Sequence, residues 1–190
     1  MTTAPDLAAI RAAAGRIAGR IRRTPLLPAA PLQTPLAGAA AADVPPPKLA
    51  VFDFELLDTS LQGELQGADP AHAARLALID EELRRQLAAS GRFTLIDTAP
   101  AAAEIARAGY WRSCHGCEAP IAAGLGADLA LVGWVQKVSN LILNLNLTIR
   151  DTATRELVFA GGVDIRGDTD EAWLHGIRYL LEHRLLADAQ

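Results

Sequence analysis

From Lys48 onward the apolar positions recur with periods of two and of about 3.6, and the switches between them lay out a domain. Residues 48–56, KLAVFDFEL, are rich in aliphatic and aromatic side chains and predict a buried strand. Residues 58–70, DTSLQGELQGADP, predict a polar, glycine-containing loop. A helix then opens with Asp69 as N-cap and Pro70 in its first position, and Ser90-Gly91 closes it. Ala74, Leu76, Ile79, Leu83 and Leu87 fall on one side of it, with Glu81, Glu82, Arg84 and Arg85 turned to water. A second strand, RFTLID, covers 92–97, and a short helix follows over 99–108 with Thr98 as its cap. After a cysteine-containing loop, another helix spans about 118–125, closed by Gly124 and Gly126.

The remainder reads as strand, strand, strand, helix. Residues 127–139 form the third strand. Residues 141–151 alternate strictly, with Leu141, Leu143, Leu145, Leu147 and Ile149 on one face and Asn144, Asn146, Thr148 and Arg150 on the other. A turn at 151–154 leads to another alternating strand over 155–167, where Gly161-Gly162 suggests a bulge or bend. Asp168 or Thr169 caps a last helix that ends near Ala187. The order β-α-β-α-α-β-β-β-α predicts an α/β (α+β) domain over 48–190, with a single mixed sheet of about five strands and helices packed on it.

The first 47 residues break this regularity. They hold eight of the eleven prolines and the alanine run 39–42, and they are read as a disordered or processed segment. Leu7, Ile10, Ala14, Ile17 and Ile21 would share one face of a short helix over 7–23. An atypical secretory signal is one reading. It takes Arg20, Arg22 and Arg23 as the charged region, 26–37 as a poor apolar core and Ala40-Ala41-Ala42 as the cleavage site. Pro28, Pro31, Pro35 and Gln33 interrupt that core.

Composition removes several function classes. The formal charge is −4, and no Lys/Arg stripe is present to neutralise phosphates, so nucleic acid is not an expected partner. No stretch is apolar for the roughly 18 residues a transmembrane helix needs.

Residues 6–27, DLAAIRAAAGRIAGRIRRTPLL, resemble the opening of the pyridoxal-phosphate threonine dehydratases. That resemblance stops there. Those enzymes need a Schiff-base lysine in a Ser-x-Lys-x-Arg-Gly context, and neither Lys48 nor Lys137 has one, so that activity is excluded. A wider resemblance rests on KLAVFDFELLDTSLQGE, ADLALVGWVQKVSNLILNLN and VDIRGDTDEAW, which resemble an exported bacterial family known only as a domain of unknown function. It spans about 48–186 and implies export and a periplasmic location. More distantly, the pattern is similar to the periplasmic fold of the TolB N-terminal domain, CsgG and LpoB, which implies an accessory protein and not an enzyme.

Four groups of residues carry candidate chemistry. Cys114 and Cys117 enclose His115 and Gly116. Glu118 follows where haem attachment needs histidine, and four zinc ligands are lacking. A structural disulfide in an oxidising compartment is the plainer reading, and a thiol–disulfide redox pair the sharper one. Asp53 and Glu55 lie on the first strand and Asp58 follows it, three acids near one strand end that either hold a ligand or cap loops. Asn144, Asn146 and Arg150 form a polar stripe beside Trp134, read as a solvated sheet face or an interaction surface. Asp164, Arg166, Asp168, Asp170 and Glu171 precede the last helix, where capping accounts for them better than a metal. His72, His175 and His183 read as surface or boundary residues. No catalytic residue, metal or cofactor is expected. The function expected is that of an exported accessory or binding protein whose partner is another protein or a small ligand. The alternatives are a redox protein using Cys114 and Cys117, or a cytoplasmic ligand-binding module.

Overall fold

The computed structural model describes residues 45–187. The helix expected over 7–23 and the signal-like stretch lie outside the described residues, and of the 1–47 segment only Pro45–Pro47 fall within them.

Residues 48–58 enter the sheet as two short strands where one was expected: β1 (Lys48–Val51) and β2 (Glu55–Asp58). Both run parallel to β4 (Leu129–Lys137), with Val51 opposite Leu131 and Glu55 opposite Trp134. Three residues on this line, Phe52 to Phe54, therefore face Val132 and Gly133, which is a bulge of one residue. Its cause lies on the long helix, where the buried Asp80 carboxylate accepts the Phe54 amide at 3.0 Å and takes it out of the ladder. The bulge flips the alternation. Leu49, Val51 and Phe54 join one apolar cluster, whereas Ala50 and Phe52 join another. Phe54 fits because Gly133 has no side chain, since a Cβ there would lie 2.4 Å from Phe54 Cε1.

The stretch read as a polar loop contains a helix, α1 (Leu61–Gln66), started by Ser60, whose hydroxyl accepts from the Gly63 amide at 3.1 Å. Next comes α2 (Pro70–Ser90), capped by Asp69 and closed by Gly91 at φ 65°, as the sequence predicts. Its buried face differs from the expected one. Glu82 and His72 are buried and Ala74 is exposed. Glu82 is tolerated inside because Arg85, Gln86 and Arg178 all donate to it. Strand β3 (Thr94–Ile96) pairs parallel to β1. Asp97, not Thr98, then accepts the first amide of a 3-10 turn that leads into α3 (Ala102–Ala108). Helix α4 (Glu118–Gly124) follows the cysteine loop.

Strands β4, β5 (Leu143–Asp151) and β6 (Leu157–Ile165) form the expected antiparallel meander. Leu141 lies outside it, exposed in the β4–β5 turn. The irregularity in β6 falls at Val158 and not at the glycines, because Ile149 faces Phe159 and Arg150 faces Leu157. Gly162 is small for another reason: a Cβ there would meet Asn146 Oδ1 at 2.8 Å. The last helix, α5 (Asp170–Leu180), is capped by Thr169 and continues as one π-helical turn over Leu181–Leu185.

The result is one open, six-stranded mixed sheet in the order β3-β1-β4-β5-β6, with β2 also on β4. The larger cluster fills the face that α2 and α5 cover. On the other face a smaller cluster joins Phe52, Trp111, Ala122 and Ala130.

Candidate functional site

The three acids of the first strand do not converge. Asp53 is exposed and takes the Arg84 guanidinium at 2.6 Å. Glu55 accepts the Trp111 amide and lies 3.7 Å from Arg112. Burial raises its carboxyl above the ordinary value, against the pull of those partners. Asp58 accepts from the amide and hydroxyl of Ser60 at 2.9 and 2.6 Å. Partial burial works to raise it, but Ser60, Lys137 and His72 outweigh that and hold it low.

Cys114 and Cys117 form a disulfide at the start of α4, half-buried against the smaller cluster. Cys114 Sγ lies 3.9 Å from Oε2 of buried Glu118. Glu118 Oε1 accepts from Arg150 Nε at 2.8 Å, so that arginine of the polar stripe is tied to the disulfide loop. The rest of the stripe stands half-buried on the sheet face opposite α2 and α5. Trp134 faces Asn146 in register, and Asn144 donates to Asp164 at 2.7 Å.

A charged cluster that the sequence reading did not assemble occupies the carboxyl ends of β2 and β4. Lys137 ends β4 on the same face as Leu131 and Val135, and it is 1% exposed. Its Nζ lies 3.0 Å from Asp168 Oδ2, 3.2 Å from His72 Nε2 and 3.9 Å from Asp58 Oδ2. Asp168 does not cap α5. It turns inward and also takes His72 Nε2 at 2.8 Å, Arg75 at 2.9 Å and Trp173 Nε1 at 3.1 Å. Burial pushes the Asp168 carboxyl up, yet the bonds from His72 and Lys137 win and hold it below the ordinary value. A signal for Lys137 was present in the sequence. It follows Leu129, Leu131 and Val135 in the inward register of a strand, where a lysine requires a buried partner.

Beside this cluster lies a cavity of about 230 Å³, walled by Asp58, Gln62, Gln66, Asp69, His72 and Lys137. The 2.8 Å bond to the Asp168 carboxylate is donated by His72 Nε2 and does not involve the ring's Nδ1. Neither that buried Nδ1 nor buried Gln62 Oε1 has a hydrogen-bond partner. No helix among the described residues is long and apolar enough to cross a membrane.

The family described as "Protein of unknown function (DUF2380)" matches residues 47–185. The chain belongs to that family. No curated protein matches it significantly. The chain is also similar to several solved structures. With the LpoB C-terminal domain from Salmonella enterica the identity is 20% and the TM-score 0.46, covering 67% of this chain and 87% of that one. Lipoprotein GNA1162 from Neisseria meningitidis gives 14% and 0.43, covering 66% and 84%. TolB from Acinetobacter baumannii gives 13% and 0.39, covering 71% and 28%. At such identities the likeness is one of fold.

Proposed function

We propose that this protein is an exported, non-enzymatic accessory protein that works by holding another protein. The observation that carries the reading is a set of large apolar side chains left in solvent at one end of the sheet. Asp58 and Lys137 are paired, so the segments that follow them leave the sheet side by side. On α1, Leu61 and Leu65 are 68% and 75% exposed; in the β4–β5 turn, Leu141 is 73% exposed, with Val138 and Ile142 also in solvent. No residue of α1 is buried. Apolar groups concentrated in this way on neighbouring segments mark a surface that a partner covers. Trp134 and the asparagine stripe offer a second, more polar contact area on the same strands. The disulfide supports export, because such bonds persist in oxidising compartments.

Photo-crosslinking in the native host tests the contact. Probes at Leu65 and Leu141 should capture the same discrete protein, and a probe at exposed Ala88 on α2 should not. Failure at both leucines overturns the docking role. Intact mass of the native protein, with and without reduction and alkylation, tests export. Loss of about the first 42 residues, as signal processing would produce, is expected together with an oxidised Cys114–Cys117 pair. A full-length chain with two free thiols would place the protein in the cytoplasm.

A further inference from the structure

We propose that the Cys114–Cys117 disulfide is an exchangeable oxidant, one that takes two electrons from a dithiol on another protein, with Glu118 stabilising the reduced pair. This goes beyond the docking role and is tested apart from the exposed leucines. The bond ties no distant parts of the chain together, since its cysteines stand three positions apart. Closing so short a loop restrains the unfolded chain weakly, which leaves the bond little to do as a staple. Both cysteines are half-buried, within reach of a second thiol. The decisive contact is with a carboxylate. Glu118 is 3% exposed, and a carboxylate so deeply buried is costly unless its oxygens meet donors. Arg150 Nε serves Oε1 at 2.8 Å. Among the described residues, the hydrogen-bonding group left for Oε2 is Cys114 Sγ, at 3.9 Å. A sulfur in a disulfide carries no proton, so Oε2 gains its donor only when reduction turns Cys114 into a thiol. A reduced form stabilised in this way makes the disulfide a stronger oxidant.

The exchange runs in two displacements. A thiolate of the partner attacks Cys117 Sγ and forms a mixed disulfide, while the Cys114–Cys117 bond breaks with its electron pair on Cys114 Sγ. Cys114 is the leaving sulfur because the Cys117 amide already donates to it at 3.3 Å, which steadies the charge that arrives there. It then takes up a proton and turns it to Glu118 Oε2. The partner's second thiolate attacks the partner's own bonded sulfur, closes a disulfide there and expels Cys117. The partner loses two electrons and the pair gains them. The two protons given up by the partner's thiols are balanced by those taken up at Cys114 and Cys117.

The test exposes the oxidised full chain to dithiothreitol without denaturant and counts free thiols by alkylation and intact mass. Reduction in the folded state is expected, and a bond that opens only in urea overturns the proposal. Urea unfolding of the oxidised and reduced wild-type chains then shows which form the fold favours. The reduced chain should unfold at the same urea concentration as the oxidised one or at a higher one. A lower midpoint after reduction would make the bond a structural staple and sink the idea. Glu118→Gln should make the pair about tenfold harder to reduce in a glutathione buffer, the loss expected for one hydrogen bond to a charged group. An unchanged ratio of dithiol to disulfide in that variant overturns the proposal equally. If Glu118→Gln fails to fold, the wild-type urea comparison still decides.

Discussion

Asp80 shows how one side chain can set both a strand break and a pH response. Its carboxyl holds the Phe54 amide from inside the protein. Burial, with the Asp53 charge added, pushes it up to about 7 against the pull of the Phe54 amide and Arg84. The unfolded chain releases this proton near pH 4, the folded one only near 7. The folded-state value is therefore raised: the stability it gives is full below the unfolded value and is lost as pH rises through the folded one. Between pH 5 and 8 the wild-type protein should lose on the order of 2 kcal/mol through this group. Asp80→Asn should flatten that slope, measured as the difference between urea midpoints at the two pH values. Equal slopes in both proteins would remove Asp80 as the cause. The lowered carboxyls of Asp58 and Asp168 act the opposite way, because their contribution is lost as pH falls below the ordinary carboxylate range, outside this window.

At the scale of elements, helix limits and strand alternation were legible because they depend on local chemistry. Asp69-Pro70 and Gly91 bound α2, and the leucines from Leu143 to Leu147 turn inward as their spacing requires. The bulge was not legible, because an amide on one strand is claimed by a carboxylate 26 residues away. The cluster of Lys137, His72 and Asp168 was hidden for the same reason, since β4, α2 and the entry to α5 each contribute one member. These cross-element ties give two predictions. Gly133→Ala should cost about 1–3 kcal/mol by overpacking against Phe54. Phe54→Leu should recover part of that in a double-mutant cycle read by urea unfolding, whereas additive losses would deny the contact. Asp168→Ala should cost about 3–5 kcal/mol, because it strands the buried Lys137 charge. Adding Lys137→Met should return a good part of it, and a double variant no better than the single would show that the cost arises elsewhere.

For the whole molecule, the described residues build both apolar clusters from positions between Leu49 and Leu185. The two clusters share one sheet, and the β1–β2 bulge sends side chains to each of them, so they should unfold together. The matched family also covers 47–185, the span over which apolar periodicity runs in the sequence. Between Thr24 and Pro47 the repeated prolines separate it from anything upstream and make a packed core element there implausible. A chain starting at Pro45 should therefore keep the stability of the full-length protein, within about 0.5 kcal/mol, the usual scatter for changes away from a core. It should also keep the same urea m-value, since m follows the surface exposed on unfolding. Side-by-side urea titrations of the two chains, followed by tryptophan fluorescence, check both quantities. Variants that keep only Trp111 or only Trp173, without Trp134, report the two clusters separately, one in each. Coincident loss of both signals supports a single cooperative unit. A shortened chain with a lower midpoint and a smaller m-value would mean that the first 44 residues pack against this domain, and that its boundary lies further upstream than the apolar pattern marks it.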